Sequence, residues 1–517
     1  MTDTSRKADA QRFIEPLPPK PNLDKQRKRA KSLALDYWRG DADAIARVQV
    51  LHPKPPTPEE FKLADAQLVI ARGHGFESWA RLRHKIDALT KSPVELFIAA
   101  VHNGDVDDVR DLIKAHPDLA GRINEPLFDF QQPAIHIARG NVAMLDLLIA
   151  HGADINAKST WEMGGFGILE TATPEQLPVL LERGAAIDVW SAARFGMADR
   201  LRALLTSDPS LVNAKGGDGK RPLHYAANVE IAQILLDHGA EIDALCDDHL
   251  SSAAQYLVSE HPDVARFLIA RGARSDILLA AALGDVDRVR RHLDEDPDSV
   301  RMRVSQDWFP MVDTAKNGGH IYQWTLGFHV SAFDVARKHG HRAVLDLLLA
   351  RTSPLDRLLD ALWNGDLAAA DAILAASPKL IEQAPPNATR LVADAARNNK
   401  TAAVDAMLAR GFPVTATSQH GATPFHWAAW HGNPDMLRSV LKHNPPLDMR
   451  DRDQGGTAIG WLIHGATGGW KGIATDRHAE CAPLLLEAGL TVDEATLPTG
   501  HDALDRVLRE WFVKQRR

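Results

Sequence analysis

The sequence predicts an all-α solenoid, in which helix–turn–helix units stack side by side. Two short segments recur along the chain, one that ends a helix and one that begins a helix, and they alternate with a period of about 33 residues. The composition fits this class, because 45% of the residues are hydrophobic and 25% are charged. A repeat array therefore replaces the three or four domains that roughly 100 to 200 residues per domain would suggest for 517 residues.

The helix-ending segment has paired apolar residues, then a glycine, then a polar Asp or Asn. It occurs at Leu147–Asn156, Leu180–Asp188, Leu235–Asp243 and Leu268–Asp276. Glycine is favoured after a helix, where the chain adopts a left-handed conformation to satisfy the last helical carbonyls. The Asp or Asn then favours a turn. Each copy therefore predicts the end of a helix and the beginning of a loop.

The helix-beginning segment is clearest at Thr423–Gly432, which reads Thr-Pro-Phe-His-Trp-Ala-Ala-Trp-His-Gly, and it recurs at Arg221–Ala227. Proline suits the first helical turn, where its missing N–H would have no partner in any case. Together the two segments resemble the ankyrin repeat, whose motif is Thr-Pro-Leu-His with two alanines, a second helix and a Gly-Ala-Asp turn. The resemblance is to divergent, bacterial-type ankyrin arrays with an N-terminal helical cap, and it covers residues 94–495, about eleven units.

The resemblance implies hairpin loops between units and a concave groove lined by the first helix of each unit. It also implies a structural role for the motif histidines His136, His224 and His426, which in ankyrin repeats bond to the backbone near the turn. Two units, near His136 and His224, have a shortened first helix. We expect such irregular units to change the local curvature of the stack.

The segments outside the array are expected to cover its ends. Residues 1–21 are predicted to be disordered, residues 22–90 to form three helices over the open end of the stack, and residues 496–517 to form a C-terminal capping helix. Two insertions, Arg301–Val330 and Gly465–His478, interrupt the period. Long loops inside compact domains are often functional, so each is a candidate lid or finger.

Charge and cysteine content exclude several classes of protein. The chain has 60 basic and 68 acidic residues, so no overall positive field attracts nucleic acid or an anionic membrane. Two cysteines, Cys246 and Cys481, cannot build a disulfide framework, which fits a reducing compartment. We find no signal peptide at the start and no apolar stretch near the roughly 20 residues of a membrane span. The predicted location is the cytoplasm, with no cofactor, metal, nucleic acid or membrane as a partner.

Twelve tryptophans accompany only four tyrosines, and several of the tryptophans share one predicted face. In each unit the residue before the alanine pair and the two residues after it should point into the groove. In the four C-terminal units these positions hold Asp360, Trp363, Asn364, Asp394, Arg397, Asn398, Trp427, Trp430, His431, Trp461, His464 and Gly465. Packed helices lie roughly 8 to 10 Å apart, so these residues should form a compact ladder.

One function that fits this ladder is a recognition scaffold for a protein or peptide. Aromatic faces bind apolar or cationic groups, and arginine binds carboxylate or phosphate. The predicted binding residues are Asp360, Trp363, Arg397, Asn398, Trp427, Trp430 and Trp461, together with Trp324 and Trp470 from the two insertions.

The alternative is an enzyme or small-molecule binder, a hydrolase, lyase or isomerase acting on a cyclic or glycosidic compound. Asp394, His431 and His464 would then transfer protons, since carboxylate and imidazole groups are common acids and bases near neutral pH. Asp360 and Asp394 fit a solvated acidic ladder as well as a catalytic pair. No nucleophile motif selects a reaction, and the fold alone cannot supply one.

Overall fold

The computed structural model describes residues 12–313, 318–468 and 477–515. These ranges are mainly helical and contain no β-strand, only the isolated bridges Phe128–Gln132, Leu245–Ser252 and Arg303–Ser331. The chain forms two compact units, a central unit of Lys91–Thr352 and a terminal unit of Met1–Thr90 with Ser353–Arg517. Among the described helices, none has the length and apolar character required to cross a bilayer.

The N-terminal segment of the terminal unit contains the helices α1 (Leu23–Trp38), α2 (Ala42–Leu51), α3 (Leu63–Gly73) and α4 (Trp79–Thr90). The central unit contains α5 (Pro93–Asn103), α6 (Val106–Ala115), α7 (Asp118–Gly121), α8 (Ala134–Ile137), α9 (Val142–Ala150), α10 (Leu177–Glu182), α11 (Val189–Arg194), α12 (Ala198–Ser207), α13 (Val229–Asp237), α14 (Ala253–Leu257), α15 (Pro262–Ala270), α16 (Ile277–Leu283), α17 (Val286–Glu295), α18 (Tyr322–Thr325), α19 (Ala332–Lys338) and α20 (Arg342–Arg351).

The C-terminal part of the terminal unit contains α21 (Pro354–Asn364), α22 (Leu367–Ala376), α23 (Pro386–Thr389), α24 (Leu391–Arg397), α25 (Thr401–Ala409), α26 (Pro424–Trp430), α27 (Pro434–Leu441), α28 (Ala458–Gly468), α29 (His478–Glu487) and α30 (Asp502–Gln515). Single 3-10 turns lie at Asp129–Gln131, Ala138–Gly140, Ile168–Glu170, Pro209–Asn213, Gly217–Gly219, Pro222–Tyr225, Pro297–Arg301, Gln419–Gly421 and Glu494–Thr496.

Helix pairs repeat through both units, which confirms the predicted solenoid class. Eight pairs lie in the central unit, two of which have the 3-10 turns Ile168–Glu170 and Pro222–Tyr225 as their first helix, and four lie in the terminal unit. The described residues therefore hold twelve pairs, where the sequence suggested about eleven. The shortened units are also as predicted, because His136 lies in the single turn α8 and His224 in the 3-10 turn Pro222–Tyr225. The glycines that end the second helices adopt left-handed conformations, as at Gly152 (φ 94°) and Gly239 (φ 91°).

Neighbouring repeats pack through like helices. In the terminal unit α24 packs on α26 and α26 on α28, while α25 packs on α27 and α27 on α29. The alanine pairs Ala395–Ala396 and Ala428–Ala429 are fully buried between the first helices. Small side chains there let the helices approach closely, and each unit buries apolar surface that it could not bury alone.

The motif histidines connect each unit to the turn of the next. The Nε2 of His136 donates to the carbonyl of Ala157 at 2.8 Å, that of His224 to Ser251 at 3.1 Å and that of His426 to Gly456 at 3.2 Å. All three rings are buried. These contacts confirm the structural role that the ankyrin resemblance implied.

The N-terminal segment differs from expectation. It has four helices, not three, and its contacts in the terminal unit reach the C-terminal helix α30. The guanidinium of Arg509 lies 3.7 Å from the ring centre of Trp38, and Lys62 pairs with Asp502 at 3.2 Å. Leu35 and Trp38 also pack against the apolar core of the C-terminal repeats. The open end that these helices cover is therefore the C-terminal one.

Residues 12–21 run along this helical segment. The backbone N–H of Glu15 donates to the carbonyl of Gly73 at 2.8 Å, and its carboxylate pairs with Arg29. These contacts fix the segment, so the disorder predicted for residues 1–21 does not extend over residues 12–21. Residues 1–11 lie outside the described residues.

The first insertion packs on the adjoining repeats of the central unit. The hydroxyl of Tyr322 donates to the carboxylate of Asp276 at 2.8 Å, and the carbonyl of Gly319 accepts from His249 at 2.6 Å. The second insertion is described only at its edges, because α28 continues to Gly468 and residues 469–476 lie outside the described part.

Arg509 joins the two segments of the terminal unit, since it also donates to the carbonyl of Pro58 at 3.2 Å. We expect Arg509→Ala to lower the free energy of unfolding by about 1–3 kcal/mol, the sum of one cation–π contact and one hydrogen bond. Urea unfolding measures this change. Arg506→Ala on the exposed side of the same helix is the control, and equal losses in the two variants would contradict the role given to Arg509.

Candidate binding face of the C-terminal repeats

Three of the predicted tryptophans meet on the first helices of the last two repeats. The ring centres of Trp427 and Trp430 are 5.8 Å apart, and those of Trp427 and Trp461 are 5.0 Å apart, both at an interplanar angle of 83°. Edge-to-face packing of this kind is favourable, because the positive ring edge faces the negative ring face. We call Trp427, Trp430 and Trp461 the tryptophan cluster.

Hydrogen bonds fix two members of the cluster. The indole N–H of Trp427 donates to the hydroxyl of Ser418 at 2.8 Å, and that of Trp461 donates to a carboxylate oxygen of Asp451 at 2.9 Å. Burial alone would raise the pKa of Asp451, but the bond from Trp461 and backbone N–H groups, including those of Gln454 and Gly456, outweigh it and lower the pKa. Asp451 is therefore a charged anchor, which the sequence analysis did not single out.

Exposure differs within the tryptophan cluster. Trp427 is 6% exposed and belongs to the core, whereas Trp430 and Trp461 are half-buried. The cluster is thus a core residue flanked by two rings that reach solvent. A buried centre with partly exposed flanks gives a rigid apolar surface.

Arg397 borders the cluster, with its guanidinium carbon 5.9 Å from the ring centre of Trp427. Burial lowers the pKa of Arg397, while the negative charge of Asp394 acts in the opposite direction. Burial disfavours the charged form of this half-buried guanidinium. A further carboxylate placed beside it would stabilise the charged form, so such a contact would be favourable.

The two aspartates of the ladder are buried and do not form a solvated acidic surface. Asp360 is 5% exposed and accepts from the side chain of Asn364 at 3.1 Å. Asp394 is 9% exposed and lies 3.5 Å from the Nε of Arg390. The predicted binding residue Asn398 donates its amide to the backbone carbonyl of Asp394 at 2.8 Å, so this group stabilises the helix end.

His431 is a structural contact between repeats. Its ring is 1% exposed, and Nε2 donates to the carbonyl of Arg397 at 2.9 Å. Burial lowers the pKa of His431 to about 4. Two hydrogen bonds to backbone groups act to raise the pKa but are outweighed by burial. His478, which sequence reasoning missed, makes the corresponding contact with the carbonyl of Trp430 at 3.0 Å. His464 is exposed on α28.

The remaining predicted residues have separate environments. Trp363 is 5% exposed, and the ammonium group of Lys400 lies 4.8 Å from its ring centre. Trp324 belongs to the central unit, where its side chain is 64% exposed and contacts Phe328. Trp470 lies outside the described residues. The described face therefore consists of the tryptophan cluster, Arg397 and their neighbours.

Comparison with protein families agrees with this architecture. A model of ankyrin repeats in three copies matches residues 189–278, a model of ankyrin repeats in many copies matches residues 392–439, and a single ankyrin repeat matches residues 131–160. The chain contains ankyrin repeats. The second of these matches includes Arg397, Trp427, Trp430 and His431, so this part of the candidate face lies on ankyrin repeats.

A curated relative shows the same repeat. "Ankyrin repeat and SOCS box protein 6" from Pongo abelii is 33% identical over 120 residues. The match covers 22% of this chain and 25% of the relative's length. The match therefore supports the presence of ankyrin repeats in this chain, and it covers only a part of each protein.

Buried neutral histidines make the stability of this protein depend on pH. The folded pKa of His431 is about 4, whereas an unfolded histidine titrates near about 6.5. Between these values the unfolded state binds more protons, so the stability is complete above about pH 6.5 and falls as the pH decreases toward 4.

We expect His431→Gln to reduce the slope of unfolding free energy against pH in this window by up to about 1.4 kcal/mol per pH unit. Urea unfolding between pH 4.5 and 6.5, roughly the window set by these pKa values, measures the slope. His464→Gln changes an exposed ring and should retain the wild-type slope. An unchanged slope in His431→Gln would contradict the assignment.

Proposed function

We propose that the C-terminal ankyrin repeats bind a protein or peptide through the face formed by Trp430, Trp461 and Arg397. The observation that carries the proposal is the fixed tryptophan cluster, in which Trp427 holds two half-buried rings edge-on. Tryptophan and arginine are the residue types that most often dominate binding energy at protein interfaces.

The cluster is suited to binding because little conformational freedom remains to be lost. The indole groups of Trp427 and Trp461 are already hydrogen-bonded within the protein. Ordering a free side chain costs roughly 0.5–1.5 kcal/mol on association, and fixed rings avoid much of this cost. The repeats themselves are of a kind that generally mediates protein interactions.

The chemistry of the face suggests what the partner offers. An apolar side chain would pack on Trp430 and Trp461, and a carboxylate would pair with Arg397, whose charged form is disfavoured by burial. We therefore infer a partner segment with an apolar residue close to an acidic side chain or to a C-terminal carboxylate. Arginine can bind a carboxylate through two parallel hydrogen bonds.

The catalytic alternative receives no support from the described contacts. His431 is buried against the carbonyl of Arg397 and its pKa is about 4, so the ring serves as a neutral structural donor. Of the three groups predicted to transfer protons, the ring of His431 is therefore already used in a structural hydrogen bond. The amide of Asn398, a predicted binding residue, is likewise bonded to the backbone.

A cytoplasmic location is part of the proposal. Cys246 and Cys481 are both buried free thiols, and burial raises the pKa of Cys481 to about 12. Disulfides are rare in a reducing compartment, so a chain with two cysteines that are both free supports the assignment.

The test is affinity capture followed by direct binding measurements with a purified partner. We expect Trp430→Ala and Arg397→Gln to weaken the same interaction by about tenfold or more, which corresponds to about 1.4 kcal/mol. Trp308→Ala, an exposed tryptophan of the central unit, is the matched control and should retain the partner.

Circular dichroism and thermal unfolding would show that each variant is folded. Partners that bind wild type, Trp430→Ala and Arg397→Gln with equal affinity would place the interaction elsewhere on the protein. A partner lost from Trp308→Ala to the same degree would also contradict the proposed face.

A further inference from the structure

A second group of side chains converges in the central unit, away from the tryptophans. Asp218, Asp248 and His249 each offer one ligand atom, and these atoms all lie within 4.8 Å of one another. We propose that this cluster is a binding site for a divalent transition-metal ion. The proposal is independent of the partner-binding face, because all of its residues belong to the central unit.

The hydrogen bonding of His249 leaves one ring nitrogen available for an ion. Nδ1 lies 2.6 Å from the carbonyl oxygen of Gly319. A carbonyl can only accept, so Nδ1 carries the hydrogen, and in the neutral ring Nε2 has a lone pair. Metal-binding histidines are oriented in this way, with the other nitrogen donating to a carbonyl or carboxylate.

The free nitrogen of His249 faces a carboxylate oxygen. Nε2 lies 3.4 Å from Oδ2 of Asp248, so in the neutral ring two acceptor atoms face each other without a hydrogen between them. Asp248 is 8% exposed. A metal ion coordinated by both atoms would turn this unfavourable contact between two acceptors into a favourable one.

The carboxylates are held in place before any ion binds. Oδ1 of Asp248 accepts from the backbone N–H of Gly318 at 2.7 Å. The backbone N–H groups of Asp247 and Asp248 donate to the carbonyl of Asp218 at 2.9 and 3.1 Å. The turn Gly217–Gly219, the loop before α14 and the first insertion therefore meet at the cluster.

Gly318 permits the insertion to approach this closely. A Cβ atom at this position would lie 2.8 Å from Cε1 of His249 and 2.9 Å from Oδ2 of Asp248. Both distances are shorter than normal contacts. Only glycine lets the backbone pass so near two of the proposed ligands.

One lysine competes for the site. The ammonium group of Lys220 lies 3.2 Å from Oδ2 of Asp218, and its side chain also faces the rings of Tyr225 and Tyr256. The ammonium group of Lys220 thus neutralises one of the two carboxylates of the cluster. An ion would share or replace the contact of Lys220 with Asp218, so this lysine should weaken metal binding without preventing it.

The ligand set selects the class of ion. One imidazole nitrogen and two carboxylate oxygens suit Zn²⁺, Mn²⁺ or Co²⁺, whereas Ca²⁺ and Mg²⁺ prefer oxygen ligands alone. Three protein ligands leave at least one coordination position for water or for an outside carboxylate. Bound metal would also join the loop of Asp248 and His249 to the turn of Asp218.

The proposal is tested on the full chain by isothermal titration with Zn²⁺ and Mn²⁺ and by the visible absorption of bound Co²⁺. We expect one site per chain in the wild type. Asp248→Asn and His249→Gln should each weaken this site by about tenfold or more, and Lys220→Met should strengthen it, because it removes the competing cation.

Asp247→Asn is the matched control. The carboxylate of Asp247 is adjacent in sequence but pairs with Lys215 at 2.8 Å, so this variant should bind metal as the wild type does. Thermal unfolding without metal would verify that Asp248→Asn and Lys220→Met fold.

Two results would overturn the proposal. Absence of binding by all three ions would show that His249 and Asp248 meet without a metal ion between them. Binding that is weakened equally by Asp247→Asn and Asp248→Asn, or by neither, would show adventitious surface binding only.

Discussion

A hydrogen bond from a buried imidazole to a backbone carbonyl of the adjacent repeat recurs through this protein. His136, His224 and His426 reach the turn of the following unit, and His431 and His478 reach carbonyls at the end of a preceding first helix. A buried carbonyl without a hydrogen-bond donor costs free energy. Each histidine therefore supplies a donor to a carbonyl that stacking of the repeats removes from water. These bonds help set the spacing of the first helices, and the contacts between Trp427, Trp430 and Trp461 depend on that spacing.

The sequence predicted the features that depend on local pattern. Short segments of sequence indicate the period, the alanine pairs and the motif histidines. Trp427 and Trp461 occupy the same position in adjacent repeats, so their contact follows from aligning the two repeats. The role of His431 could not be predicted in the same way. A histidine after an alanine pair has the same sequence signal whether its ring faces solvent or bonds to the preceding repeat, and only packing decides between them.

Other features depend on contacts between distant segments. The cluster of Asp218, Asp248 and His249 forms because the first insertion brings the carbonyl of Gly319 to His249, 70 residues away in sequence. The segment Gly217–Gly219 forms a 3-10 turn that contains Asp218, but nothing in its sequence indicates which loop it faces. The position of the N-terminal helices was likewise not encoded locally, because apolar helices can cover either end of a repeat stack.

The contact between the N-terminal helices and the C-terminal segment of the terminal unit has a consequence for biosynthesis. Arg39 hydrogen-bonds to Glu494, a residue 455 positions later. At roughly 5–20 residues per second, about 20 to 90 s of translation separate these two residues. During that interval the apolar side chains of α1 that pack on the C-terminal core have no final neighbour. They remain exposed to aggregation, or to a chaperone on the ribosome, until the C-terminal repeats have been made.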